Sequence, residues 1–399
     1  MPERRPPFDR ARASALMDDR GVAALLVCSR ANVGYLADYT YHTAQGLPFL
    51  LEDGREWSLS FVGLPRDPAL SAFITPVTGE EGVIAHADPW IADRRAWGPP
   101  WAYAGRDSAS ADAPTDVAVC VAEALRDRGL GEGRIGLELA ALPAARYLRL
   151  RELLPRAELV DAAPILWALR AVKTDEEVVR LRAVARATDA AVAAGYAALG
   201  AGCSERDLER AMASALVGQG VAYGWCSVAF GPKGATLVEP TDRRAAAGEI
   251  VRVDLVGMHR GYYSDISRVA AYARQPDAAA RRAHAAILET NAALRGAVGP
   301  GVRCRDLWRL ARDTLSRSNY PLLAPGAGHG VGRDVHEPPF LAPWDETELR
   351  PGMVLALEPT MRVVGVGSVN VEDMVLVTDD GCEPLTAFPR ELLVFGEEG

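Results

Sequence analysis

Gly248 to Ala270 reads GEIVRVDLVGMHRGYYSDISRVA, and this stretch decides the fold. Apolar residues cluster on either side of a glycine-containing break, as in two buried strands meeting across a turn. Each run holds one carboxylate, Asp254 and Asp265, eleven positions apart. If the strands pair as a hairpin around Gly257 to Gly261, both carboxylates can face one cavity. Acidic side chains do not gather in apolar surroundings without something positive to neutralise them.

Three more residues of this kind follow: His329 in APGAGHGVG, Glu358 in MVLALEP and Glu372 in VNVEDMVLV, at further intervals of 64, 29 and 14. Each alone has a plain structural explanation. A lone aspartate is usually a turn or edge charge, a glutamate before proline a loop residue, a histidine between glycines an exposed loop. Five together in core-like runs do not fit that account, and the simplest neutraliser is a pair of divalent ions. Four carboxylates and one imidazole make a mostly oxygen site, which favours manganese, iron, cobalt or zinc over copper. Glu358 and Glu372 fall on a second strand pair, turning at Val363 to Gly367.

Upstream, the chain alternates helical and strand patterns. FDRARASALMDDRGVAALLVC predicts a helix leading into a buried strand, AFITPVTG, EGVIAH and RIGLEL further strands, and DVAVCVAEALRDRGL an amphipathic helix ended by Gly129. The expected architecture is an α/β layer domain over residues 1–165, with GPPWAYAGRDSASADAPTD as a surface loop inside it. A second domain, 166–399, opens with long helices. Thr174 with Glu177, and Ser204 with Asp207, have the spacing of capping boxes.

The chain's 399 residues suit two domains. A net charge of −9 argues against a general nucleic-acid binder. Lys173 and Lys233 are the only lysines, so the positive charge is nearly all arginine. The six cysteines show no CxxC pair, which predicts free thiols. MPERRPPFDRARASALMDD has no apolar leader core, and no run approaches the ~18 apolar residues of a membrane span. A cytoplasmic protein without membrane or nucleic-acid partners is expected.

On GEIVRVDLVGMHRGYYSDISRVA, GAGHGVGRDVHEPP, RPGMVLALEPTM and NVEDMVLVTDDGCEPLT, with the order Asp, Asp, His, Glu, Glu, the sequence resembles the pita-bread metallohydrolases, which include methionine aminopeptidase, Xaa-Pro aminopeptidase, prolidase and creatinase. The stretch from IGLELAALPAARYLRL to AVKTDEEVVRLR is similar to the linker region of the prolidase and creatinase branch. The resemblance implies a creatinase-like α/β N-terminal domain and an α+β pita-bread catalytic domain with two metals between pseudo-twofold halves. It makes Asp265 and Glu372 the bridging ligands, Asp254 the terminal ligand of one metal, and His329 with Glu358 those of the other. Glu358 doubles as general acid and base, a shared water serves as the hydroxide nucleophile, and His336 faces the scissile region of the substrate. Manganese is the expected metal, with zinc, cobalt or iron as alternatives, and a homodimer is expected. In such dimers a neighbour's N-terminal domain can border the active site, which makes His42, in YTYHT, a specificity candidate.

Two positions depart from the resembling pattern. Leu237, in LVEPT, stands where a substrate-holding histidine is usual, and leucine can neither donate a hydrogen bond nor carry charge. Asn370 stands where prolidases usually carry arginine, two residues before Glu372. Three readings compete. One is an Xaa-Pro dipeptidase or aminopeptidase in which Lys233, Glu239 or a partner residue takes over the missing role. Another is a small-molecule hydrolase or lyase resembling ectoine hydrolase, creatinase or dimethylsulfoniopropionate lyase. The third is a non-catalytic binding protein. Hydrolysis of an amide or peptide C–N bond is the expectation, with the small-molecule enzyme as alternative.

Overall fold

The computed structural model describes residues 6–38, 60–76, 90–98, 114–232, 238–323 and 326–397. EGVIAH, nearly all of the GPPWAYAGRDSASADAPTD loop, His42, Lys233 and Leu237 lie outside them. Two units divide the chain, 1–170 and 171–399. The expected boundary at 165 falls inside the helix Ala163–Ala171, because Ile165, Leu166 and Leu169 belong to the core of the first unit.

The first unit is a six-stranded mixed sheet. Its strands are β1 (Ala24–Val27), β2 (Phe61–Pro65), β3 (Ala72–Pro76), β4 (Asp93–Trp97), β5 (Arg134–Leu137) and β6 (Glu158–Asp161), ordered β4-β3-β2-β1-β5-β6. On β1, Leu25 and Val27 enter one core cluster and Ala24 and Leu26 the other, as the two-residue period of a strand covered on both faces requires. The helices Arg10–Asp19 and Ala163–Ala171 cover one face, Val117–Arg126 and Ala144–Leu153 the other.

The first sheet of the second unit holds β7 (Ala222–Phe230), β8 (Ile250–His259), β9 (Tyr262–Tyr263) and β10 (Ile266–Tyr272), with β8 central between β7 and β10. A second sheet comprises β11 (Gly328–Gly330), β12 (Glu337–Phe340), β13 (Val354–Leu357), β16 (Asp373–Val377) and β17 (Cys382–Pro384). Between them β14 (Thr360–Val363) and β15 (Gly367–Asn370) form a separate hairpin, and β18 (Val394–Phe395) edges the first sheet. The helices Asp175–Ala197 and Glu205–Gly218 begin at complete capping boxes on Thr174 and Ser204, as the sequence predicts. They pack on the first sheet through Val184, Val192, Leu208 and Met212. Among the described residues no helix is long and apolar enough to cross a membrane.

The hairpin turn is tighter than expected. Gly257 lies within β8, and the chain reverses at Arg260–Gly261, both with positive φ, as a two-residue hairpin turn demands. YYSDISRVAAY is not one strand but breaks at Ser264 and Asp265.

Candidate metal centre

Each candidate ligand sits at a strand or a strand end. Asp254 is on β8, opposite Ser267 of β10. Asp265 lies just before β10, and its carboxylate comes within 4.8 Å of those of Asp254 and Glu372. Glu358 follows β13 and Glu372 precedes β16, where Leu357 pairs with Asp373. The Glu358 N–H donates to Ala327 O at 2.9 Å and the Glu372 N–H to Ser267 O at 3.0 Å, tying the two ends to different neighbours.

His329 occupies the middle of β11, between β12 and β13. The flanking glycines are needed for close approach: a Cβ at 328 would lie 2.1 Å from Ala356 O, and one at 330 would lie 2.7 Å from Glu337 O. His329 Nδ1 is 3.0 Å from Gly330 O, so the tautomer that donates there leaves the Nε2 lone pair free.

That Nε2 lies 3.8 Å from Asp265 Oδ2, 3.9 Å from Glu358 Oε2 and 3.8 Å from Glu372 Oε1. These gaps are too long for hydrogen bonds. Bonds of about 2 Å to a shared ion span up to ~4 Å across it. Two triads, Asp254–Asp265–Glu372 and His329–Glu358–Glu372, each bring one ligand atom per residue within 4.8 Å of the others, and they share Glu372. Asp265, His329 and His336 form a third. His336 is exposed, its ring centroid 4.2 Å from that of His329 and edge-on to it.

The electrostatics follow from crowding. Burial first, then Asp254 and Glu358, push Asp265 far above the usual carboxylate range. Glu372 is raised likewise, by burial and then by Asp265, Glu358 and Asp254. Burial and Asp254 bring Glu358 up to about 8, against the opposing pull of Arg252. Asp254 is raised by burial, with Arg252 pulling it back. Burial, then the neighbouring His336, lower His329 to about 3, so its imidazole is neutral.

These residues fit divalent metal. His329 Nε2 and both carboxylate oxygens of Glu372 are buried without hydrogen-bond partners. Beside Glu372 stands another carboxylate, Asp265, which can bond it only if one of the two holds a proton. Left so, each stranded polar group costs on the order of 1–3 kcal/mol, and a cation removes that penalty together with the mutual repulsion.

Sequence reasoning missed the supports of the site. Arg252, buried on β8, donates to Asp254 Oδ2 at 3.2 Å and to Asn370 Oδ1 at 3.5 Å. Asn291, on the helix Ala278–Ala297, donates to the carbonyls just before both glutamates, Val371 at 3.1 Å and Leu357 at 3.5 Å. Arg268 donates to Glu372 O at 2.5 Å and to Asp373 Oδ1 at 2.8 Å. The one available signal was an arginine two residues before Asp254 in IVRVDLV, an otherwise apolar run.

Residues 179–379 match the metallopeptidase family M24, and residues 10–172 match the Creatinase/Prolidase N-terminal domain. The Xaa-Pro dipeptidase of Pyrococcus furiosus is 31% identical over 239 residues, 57% of this chain and 67% of that protein. The Xaa-Pro dipeptidase of Lactobacillus helveticus is 29% identical over 280 residues, 69% of this chain and 76% of that protein. The dipeptidase PepE structure from Mycobacterium ulcerans has a TM-score of 0.78 at 26% identity, covering 97% of both chains. An Xaa-Pro dipeptidase structure from Bacillus anthracis shares the fold, with a TM-score of 0.79 at 24% identity over 97% of this chain and 99% of that one.

Proposed function

Because the chain belongs to metallopeptidase family M24 and is thus a metal-dependent hydrolase, we propose that it cleaves dipeptides of the Xaa-Pro type at a centre of two divalent ions. The observation that carries this reading is the pair of ligand triads sharing Glu372, with the buried Nε2 of His329 and both Glu372 oxygens unpartnered. Asp254, Asp265 and Glu372 would hold one ion, and His329, Glu358 and Glu372 the other. Asp265, 3.8 Å from His329 Nε2 and within 4.8 Å of Asp254 and Glu372, would be shared by both ions, as Glu372 would be. The chemistry such ions would supply there is activation of a water near neutral pH and polarisation of the scissile carbonyl.

The remaining work falls to side chains. Glu358 is suited to move the proton because it is the more open of the two glutamates: its side chain is 26% exposed where that of Glu372 is 1% exposed. His336, exposed beside His329, faces arriving substrate. Manganese is the proposed metal, since the donor set is mostly oxygen. Six free thiols suit a reducing, cytoplasmic setting. A homodimer is proposed on family likeness alone, with light scattering as its test.

Elemental analysis of chelator-free protein, coupled to a manganese-supplemented assay of Xaa-Pro dipeptides read by mass spectrometry, tests the function. Two equivalents of metal with turnover are expected. Two equivalents without turnover would overturn the substrate, and absence of metal after supplementation would overturn the centre.

A further inference from the structure

Arg252 stands at the meeting point of three parts of the second unit. Its side chain is fully buried. On β8 it shares a face with Asp254, and Nη1 reaches that carboxylate at 3.2 Å. The same nitrogen reaches Asn370 Oδ1 at 3.5 Å, at the end of β15. With its oxygen toward the guanidinium, Asn370 turns its amide N–H group to Glu358 Oε1, at 3.4 Å. Nη2 donates to Ser227 Oγ at 2.7 Å on β7, directly opposite Asp254. Ser227 in turn accepts from Val238 N at 3.0 Å and donates to Val238 O at 3.1 Å. One guanidinium thus connects a carboxylate from each triad and the chain segment that continues from Leu237.

We propose that Arg252 is a positioning residue of the metal centre, fixing Asp254 directly and Glu358 through Asn370. It delivers from β8 the positive charge that resembling prolidases usually carry at the position of Asn370. Two features of the geometry favour transfer of the charge over its loss. The guanidinium lies against the very side chain that replaces the arginine. That side chain is also oriented to hand the charge on: carbonyl to cation, amide to carboxylate. A fully buried arginine cannot touch substrate, so its effect is exerted through the carboxylates it holds. This inference rests on the dinuclear reading of the site, and the wild-type metal content tests that reading by itself.

The test compares wild type, Arg252→Met, and Arg252→Met combined with Asn370→Arg. The first variant removes the charge at similar length, and the second restores it from β15. Manganese affinity is measured by calorimetry on metal-free protein, and kcat and KM on an Xaa-Pro dipeptide. In Arg252→Met, manganese affinity is expected to fall roughly 10–100-fold, the usual worth of an outer partner to a metal ligand. The loss of activity should appear in kcat more than in KM. The double variant should regain at least about tenfold of the affinity, which restored packing alone would not achieve. Wild-type affinity in Arg252→Met overturns the proposal, and so does a double variant no better than the single one. If Arg252→Met does not fold, Asn370→Leu cuts only the arm to Glu358. A several-fold weaker manganese affinity with intact folding then supports the proposal, and unchanged affinity overturns it. Wild type that binds no manganese defeats the dinuclear reading; wild type and Arg252→Met that bind it equally defeat only the role of Arg252.

Discussion

Glu138 in the first unit and Glu372 in the second are both buried glutamates, yet the chain treats them in opposite ways. Glu138 accepts from Cys28 N at 2.9 Å, Ser29 N at 2.8 Å and Asn32 Nδ2 at 2.6 Å, at the start of the helix Arg30–Ala37. Its charge is consumed in fastening that helix to β5. Glu372 has no donor on either oxygen and faces three more acidic groups. A buried carboxylate with its own donors is a strut, whereas one without them is a request for a cation. Asp373 makes the contrast within two consecutive residues. It points to the other face of β16, where Arg268 and Arg390 hold it at 2.8 and 2.6 Å and depress its carboxyl below the usual range against the opposing effect of burial.

The largest expected effect lies on the unsatisfied side. Glu372→Ala or Asp265→Ala should release both metals together, because each residue is assigned as a bridge. Dipeptidase activity should fall by more than the roughly 10–100-fold that an outer partner is worth. Elemental analysis decides, and two full equivalents in either variant would sink the bridging assignment.

Struts should behave differently. Asp373→Ala leaves the buried Arg268 guanidinium without its carboxylate and is expected to cost about 3–5 kcal/mol in denaturant unfolding. Glu138→Ala strands three donors and should cost about 3 kcal/mol, with two metals still bound. Loss of stability below ~1 kcal/mol in both variants would break the distinction between strut and site.

Acidity separates the two classes again, and here the metal-free protein is the informative form. The site carboxylates are raised from unfolded values of 3.8 for the aspartates and 4.5 for the glutamates, Glu358 to about 8, so over that span the folded state binds more protons than the unfolded one. The contribution of these carboxylates to metal-free stability therefore falls as pH rises from about 5 to 8. His329 acts in the other direction: with its imidazole lowered to about 3, stability falls as pH drops from 6.5 toward that value. The metal-free melting temperature should peak on the acid side of neutrality. Manganese should raise it more at pH 8 than at pH 5, because binding displaces protons at the lower pH. A metal-free melting temperature that is flat or rising from pH 5 to 8 would contradict the assigned crowding.

These contrasts also mark what was legible in the sequence. Asp254, Asp265, His329, Glu358 and Glu372 were visible because each interrupts an apolar run, and a family resemblance ordered them. Satisfaction was not visible. Whether a buried acid has donors depends on residues such as Asn32 for Glu138 and Arg268 for Asp373, brought to it from far along the chain by the sheet order. For the same reason Asn370 reads in sequence as a lost positive charge, while the fold places the Arg252 guanidinium against it. Helix starts were readable because a capping box closes within four residues and needs no tertiary partner. Leu237 and His42 lie outside the described residues, and their expected roles stay with the sequence.

Glu177 tests the rule where the effect should be smallest. It is buried and raised, by burial foremost, yet it accepts from Thr174 N at 2.9 Å and from Tyr262 Oη at 3.1 Å. By the criterion of donors it is a strut, although by the direction of its shift it resembles the site. Thr174→Ala removes the hydroxyl that caps the Glu177 N–H and leaves the Glu177 bonds in place. It is expected to cost about 1 kcal/mol, the usual worth of an N-cap, with two metals retained and unchanged kcat. If this variant instead lost metal, donor count would not be what separates framework carboxylates from those of the centre. The buried acids of the helix start would then have to be counted as part of it.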